Sequence, residues 1–302
     1  MLNGFIVIDK PAGISSHAVV SKARRILSTR RIGHTGTLDP FATGVLPLAV
    51  NEGTKAIPFL DEGCKSYEAV MRLGVSTDTL DMTGEVLAEN DWRTVTAEGL
   101  QKAFASHTGL ISQIPPMYSA LKRDGQPLYK LARAGKTVER PPRSVLISRL
   151  ELVSFEPPFA GFKVECSKGT YIRSLADDVG NALGCGAALQ ELRRTASGPF
   201  TAALSVTLEQ LELLAARGAV DTVSIGMNTA LSHLPEAPLT EQGAHYVSHG
   251  RSPCKEDLDP AQIAGCGEGD LIRLVHQGKL LAVAGCRDSG SGAGIVIKRV
   301  FM

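Results

Sequence analysis

The stretch Gly33-His34-Thr35-Gly36-Thr37-Leu38-Asp39-Pro40 gathers two glycines, a histidine and a single carboxylate, and Thr43-Gly44 then leads into the apolar run Val45–Val50. Glycine lets a backbone turn tightly or meet a ligand closely. Pro40 pushes Asp39 toward an extended or turn conformation rather than mid-helix. The pattern displays Asp39 on a constrained loop beside a buried strand, where a carboxylate can act as nucleophile or base. An ordinary turn is the alternative, because Asp-Pro is a common turn initiator.

Two further groups of residues have chemical potential. Lys65-Ser66-Tyr67-Glu68-Ala69 precedes Leu73-Gly74 and then Thr77-Asp78-Thr79-Leu80-Asp81. A tyrosine on a strand serves most often in a core or an interface. Lys168-Gly169-Thr170-Tyr171-Ile172-Arg173-Ser174 places Arg173 at the start of a helix, by itself a surface position. Metal and cofactor signatures are missing. The six cysteines form no C-x-x-C pair and have no histidine at metal-finger spacing, so reduced, buried thiols are expected rather than a zinc site. There is no G-x-x-x-x-G-K-[ST], no dinucleotide fingerprint and no H-E-x-x-H. Gly290-Ser291-Gly292-Ala293-Gly294 is glycine-rich but opens no helix. No cofactor and no metal are expected.

The elements that must position these groups can be read from periodicity. Gly4–Asp9 and Lys65–Gly74 read as strands, as do Val145–Glu156 and Phe159–Ser167 around the Pro157-Pro158 turn. Ser15 or Ser16 caps a helix to about Leu27, with Val19, Val20, Ala23, Ile26 and Leu27 on its buried face. Thr96 caps a helix through Ser106, Tyr171–Leu183 forms a third that ends at Gly184, and Thr207 begins a fourth. Strands separated by helices and hairpins indicate an α+β fold. Beyond Leu234–Pro238, short strands with glycine turns mark a separate small module.

At 302 residues, 43% hydrophobic and 21% charged, the chain has room for one large domain and a small one. Met1–Lys10 lacks the pattern of a secretory signal and no window approaches a membrane span, so a cytoplasmic protein is expected. The net charge of +1 hides local basic regions. One runs through Lys10, Lys22, Arg24, Arg25, Arg30, Arg31 and Lys55. The other lies in Ile114–Arg143, where Lys122, Arg123, Lys130, Arg133, Lys136, Arg140 and Arg143 are interleaved with prolines, Tyr118 and Tyr129. Such a segment is either an RNA-contacting loop or a disordered linker, and locally basic surfaces in a near-neutral protein suit a polyanion.

Gly33–Pro40 with Phe41-Ala42-Thr43-Gly44-Val45-Leu46 resembles the catalytic loop of the TruB family of pseudouridine synthases, whose essential aspartate falls on Asp39. The Tyr67 strand and the Gly169-Thr170-Tyr171-Ile172-Arg173 element resemble two further motifs of that family, in the same order. The resemblance implies a pseudouridine synthase fold: a mixed, largely antiparallel sheet with flanking helices over residues 1–234. It implies an RNA-binding insertion at about 114–143 and a small, barrel-like PUA module over 235–302. It also implies roles. Asp39 is catalytic, His34 helps extrude or hold the flipped nucleotide, Tyr67 stacks on the uracil, Tyr171 and Leu192 complete the wall, and Arg173 pairs with Asp39. Asp81 is expected to back the pocket and Lys10 to support it structurally.

The activity implied is isomerisation of uridine 55 in the T-loop of tRNA by a monomer that needs no protein partner. A guide-RNA-dependent synthase and a non-catalytic tRNA-binding or tRNA-folding protein are the alternatives.

Overall fold

The computed structural model describes residues 2–61, 63–123, 125–258, 267–288 and 293–301. Cys266 and most of the glycine-rich stretch at 290–294 lie outside them. β1 (Gly4–Lys10) is an unbroken apolar run because both of its faces are covered. Ile6 and Ile8 enter one core while Phe5 and Val7 enter another on the opposite face. α1 (Ser16–Ile26) covers the first face with Val19, Val20 and Ala23, and Ser15 caps it by accepting from Ala18 N. β2 (Ile32–His34) and β3 (Thr43–Val50) follow, with the Asp39 loop between them.

β4 (Cys64–Leu73) alternates strictly, with Tyr67, Ala69, Met71 and Leu73 inward and Glu68 outward. A slip of one residue would turn Tyr67 to the other face of the sheet. Then come α2 (Ala97–Ser106), β5 (Gly109–Gln113), β6 (Arg143–Glu156), β7 (Phe159–Ser167), α3 (Ile172–Ala182), β8 (Ala187–Ser197) and α4 (Leu208–Ala216). Thr96 and Thr207 are the caps of α2 and α4, the latter with a full capping box to Gln210.

These strands form one mixed sheet in the order Ser205–Val206, β1, β3, β8, β4, β7, β6, β5. Most pairs are antiparallel; β3 with β8, and β1 with Ser205–Val206, are parallel. The α+β expectation and the helix positions hold. β8 was not foreseen, although it joins the strand of Tyr67 to the strand that follows Asp39. The segment at 114–143 has local structure of its own among the described residues. It holds a small hairpin, Lys122–Arg123 with Gln126–Pro127, and a helix, Leu128–Arg133.

The C-terminal part has β9 (Glu236–Pro238), α5 (Glu241–Ser248), β10 (Leu271–His276), β11 (Lys279–Asp288) and β12 (Ala293–Val300). Its four strands pair in chain order as a single sheet. Helix α5 packs on this sheet, and among the described residues no closed barrel is formed. One face of that sheet has its own core. From the other, Val275, Leu280 and Val283, with Phe301, join Phe5, Val45 and Phe200. Among the described residues no helix is long and apolar enough to cross a membrane.

Candidate active site

The loop after β2 is fastened along its length. Ser16 Oγ accepts from Leu38 N at 2.8 Å and donates to Leu38 O at 3.0 Å. Pro40 O accepts from Gly13 N at 2.8 Å and from Lys10 Nζ at 3.1 Å. Lys10 is fully buried, and its ammonium also donates to Pro11 O and Ile14 O. Three carbonyls thus absorb its three N–H donors, which fits the structural part expected of it.

Asp39 emerges from this loop onto Arg173. The arginine Nε donates to Asp39 Oδ2 at 2.9 Å, Nη1 to Thr79 O at 2.7 Å and Nη2 to Tyr118 O at 2.8 Å. Asp81 Oδ2 lies 3.6 Å from Nη1. Arg173 is 3% exposed, so it is not the surface residue that its helix-start position alone would give. Asp81 is itself held by Thr79 Oγ1 and Thr83 N. Gln113 fixes the start of α3 by donating to Tyr171 O and accepting from Tyr171 N. Through Tyr118 O and the Ser174–Ile114 hydrogen bond, the basic segment is anchored directly to the site.

Asp39, Arg173, Tyr67, Tyr171 and Leu192 all line one cavity of about 300 Å³, together with Thr37, Lys65, Ser119, Thr170 and others. That volume suits a single nucleobase with part of its sugar. His34 does not line it. It sits in β2 opposite Leu48 with its Nδ1 buried, and burial followed by the charge of Arg194 lowers its pKa. Lys65, Ser119 and Arg194 were missed by sequence reasoning. The signal for Arg194 was present, since strand alternation puts it on the same inward face as Leu192.

Burial pushes the Asp39 carboxyl up, while the charge and hydrogen bond of Arg173, and the charge of Lys10, pull it back. The Asp39 side chain keeps 33% exposure toward the cavity. The Tyr67 phenol is pushed up to about 12 by burial, so the ring faces the cavity as a neutral aromatic surface. A larger hollow, about 740 Å³, includes Glu68, Val70 and Lys163, which alternate away from Tyr67 on the sheet. Of its charged lining residues, Lys163 pairs with Glu68 and Arg193 with Asp9 beyond the lining, and neither Asp39 nor Arg173 lines it. Among the described residues no cluster of acidic, histidine and cysteine side chains could hold a metal.

This arrangement sets a buried arginine against a carboxylate between two tyrosines, and family comparison gives it context. Residues 24–172 match the model of the TruB family pseudouridylate synthase N-terminal domain, and 173–231 match the tRNA pseudouridylate synthase B C-terminal domain. The chain is 50% identical over 283 residues to tRNA pseudouridine synthase B of Geobacter sulfurreducens, covering 94% of this chain and 93% of that protein. It is 51% identical over 293 residues to the protein of the same name in Pseudomonas paraeruginosa, covering 96% and 93%. Among solved structures it resembles a chain of a Cbf5–Nop10–Gar1 complex, with a TM-score of 0.75 and 28% identity over 99% of this chain and 85% of that one. A chain of the archaeal box H/ACA sRNP Nop10–Cbf5 complex is similar at a TM-score of 0.74 and 27% identity, covering 99% and 86%. The chain belongs to the TruB family and is a pseudouridine synthase, an isomerase.

Proposed function

We propose that this enzyme converts uridine 55 in the T-loop of tRNA to pseudouridine, acting alone through Asp39. The observation that carries the reading is the Asp39–Arg173 pair at 2.9 Å in a base-sized cavity walled by Tyr67 and Tyr171. The relatives named tRNA pseudouridine synthase B support tRNA as the substrate.

The reaction breaks the N1–C1′ bond, rotates the uracil and joins C5 to C1′. The proton lost from C5 is balanced by one gained at N1, so no oxidant or energy donor is consumed. A stacked uridine cannot reach a recessed carboxylate, so the nucleotide must first leave its stack. Tyr67 then supplies a stacking face, worth roughly 1–3 kcal/mol for one base. Arg173 keeps Asp39 ionised against its burial. Asp39 attacks the sugar or the base, or removes a sugar proton; all three routes use the same carboxylate.

His34 acts from behind the loop rather than from the cavity wall, supporting the extruded nucleotide through β2. The basic segment at 114–143 grips the tRNA backbone. Residues 1–234 form the catalytic domain and 235–302 an RNA-binding module.

The test is pseudouridine formation in an unmodified tRNA transcript by purified protein without added cofactor, metal or guide RNA. The product is mapped by carbodiimide-dependent primer extension. Conversion at the T-loop by the wild type and not by Asp39→Asn is the expected result. Conversion by neither, with tRNA binding retained, would leave a guide-dependent enzyme or an RNA-binding scaffold.

A further inference from the structure

The Asp39 loop leaves β2 and returns through β3, and both of its ends meet one residue. Arg194 lies in β8, fully buried, with its backbone opposite Gly44 on one side and opposite Tyr67 on the other. Its Nε donates to Val45 O at 2.7 Å, at the loop's exit, and its Nη2 to Gly36 O at 3.1 Å, at the loop's entry. The third nitrogen, Nη1, is buried. It lies beneath Gly36, where a Cβ would come within 3.5 Å of it and within 3.1 Å of Lys65 Nζ.

We infer that Arg194 is a positioning residue that clasps both ends of the Asp39 loop and sets the loop's spacing from Tyr67. The two glycines fit this part. Gly44 has φ +98, and a Cβ there would fall 2.2 Å from Arg194 O, so only glycine lets the exit of the loop lie against β8. The charge of Arg194, and a side-chain hydrogen bond from it, also act on its cross-strand neighbour, opposing the upward push of burial on the Tyr67 phenol. A carboxylate and a stacking ring that must both stay in register while a detached base turns between them need such a common anchor. A planar guanidinium can reach two carbonyls at fixed angles, whereas a lysine ammonium is a point donor at the end of a flexible stem. Arg194 touches no reacting atom; it acts through Asp39 and Tyr67. The inference rests on the proposed pseudouridylation for its kinetic part only.

Arg194→Lys keeps the charge and Arg194→Met keeps the bulk, and both are compared with wild type as full-length proteins after thermal unfolding has shown that they fold. Amide hydrogen exchange by mass spectrometry on the free proteins reads the clasp without reference to activity. Exchange across residues 35–44 should accelerate at least about tenfold in both variants, with 97–106 unchanged within about twofold. Single-turnover pseudouridine formation at saturating tRNA should fall roughly 100-fold, while the Kd for tRNA stays within about threefold. The lysine should not restore the rate.

Unchanged exchange at 35–44 in a folded variant would overturn the clasp. A wild-type rate in Arg194→Lys, or a loss of tRNA affinity that matches the loss of rate, would overturn the positioning role. If the wild type itself forms no pseudouridine, the functional reading fails, and hydrogen exchange still decides the clasp.

Discussion

Burial raises the pKa of Asp39 while Arg173 opposes it, and this sets a pH dependence. Its pKa lies above the ordinary 3.8, chiefly through desolvation, with Arg173 opposing. A reaction that needs the carboxylate loses rate as pH falls through that raised value, so the acid limb should lie above 3.8. The stability sign is opposite: between 3.8 and the raised value the native state binds more protons than the unfolded chain, so folding gains there as pH drops. Lys10 carries the alkaline side. Burial lowers it from 10.5 to about 8, with Asp39 pulling the other way. Between those values the folded state has lost a proton that the unfolded chain keeps, so stability rises with pH through that window. Above about 8, however, Lys10 loses the charge facing Asp39 and one of the N–H donors that hold the loop. Single-turnover rates should therefore decline above pH 8, and a flat profile from pH 7 to 9.5 would count against Lys10.

Arg173→Met is the sharper substitution at this scale. It leaves Asp39 and Asp81 sharing a recess without their cation, and strands the carbonyls of Thr79 and Tyr118. Removing one partner of such a buried group costs about 3–5 kcal/mol, and the rate should fall roughly 100- to 1,000-fold. Urea unfolding and single-turnover kinetics measure the two effects. A variant as stable as wild type would mean that Arg173 carries little of the structure. The loop alone left Asp39 between a displayed carboxylate and an ordinary Asp-Pro turn, and only the family resemblance separated the two; the inward turn of Arg173 was not legible from local pattern at all. Its neighbours Tyr171 and Ser174 look like any helix start, and only the contacts made by Thr79, Tyr118 and Asp81 from distant segments decide its direction.

Elements were legible where their periodicity was local. α1 and α2 announce themselves by caps and apolar faces, α3 by its apolar face and the terminating Gly184, and β4 by its alternation. β8 does not. Ala187–Ser197 is rich in alanine, leucine, glutamine, glutamate and arginine, all of them good helix formers. It is a strand because β3 and β4 pair with it on both sides. The basic segment was legible in composition and not in shape. Its helix Leu128–Arg133 turns Lys130 and Arg133 outward, and Arg133 lies 5.7 Å from the Tyr129 ring. If this element grips tRNA, replacing Lys130, Arg133 and Lys136 with glutamine should weaken binding. It should also reduce the slope of log K against log salt by roughly 2–3. Filter binding from 50 to 300 mM salt checks this, and an unchanged slope would place the tRNA elsewhere.

On the scale of the whole molecule, the C-terminal sheet is built into the catalytic part rather than strung from it. Val283 belongs to the core that contains Phe5, Val45 and Phe200, while Ala282 and Ala284 beside it face the module's own core. Arg273, 8% exposed, donates to Leu234 O and Asn228 O across the proposed boundary. Composition shifts near Pro235 mark where one pattern stops, but they cannot report that a strand fifty residues on returns its odd face to the first strand of the chain. A core shared in this way predicts cooperative unfolding. Val283→Ala should cost about 2 kcal/mol and lower a single thermal transition by about 3 °C. The catalytic and C-terminal parts should melt together by circular dichroism and by hydrogen exchange. Two separate transitions, with only the later residues shifted by the substitution, would show instead that the two parts fold as independent units, and that the apolar contact between them contributes little to the stability of the site.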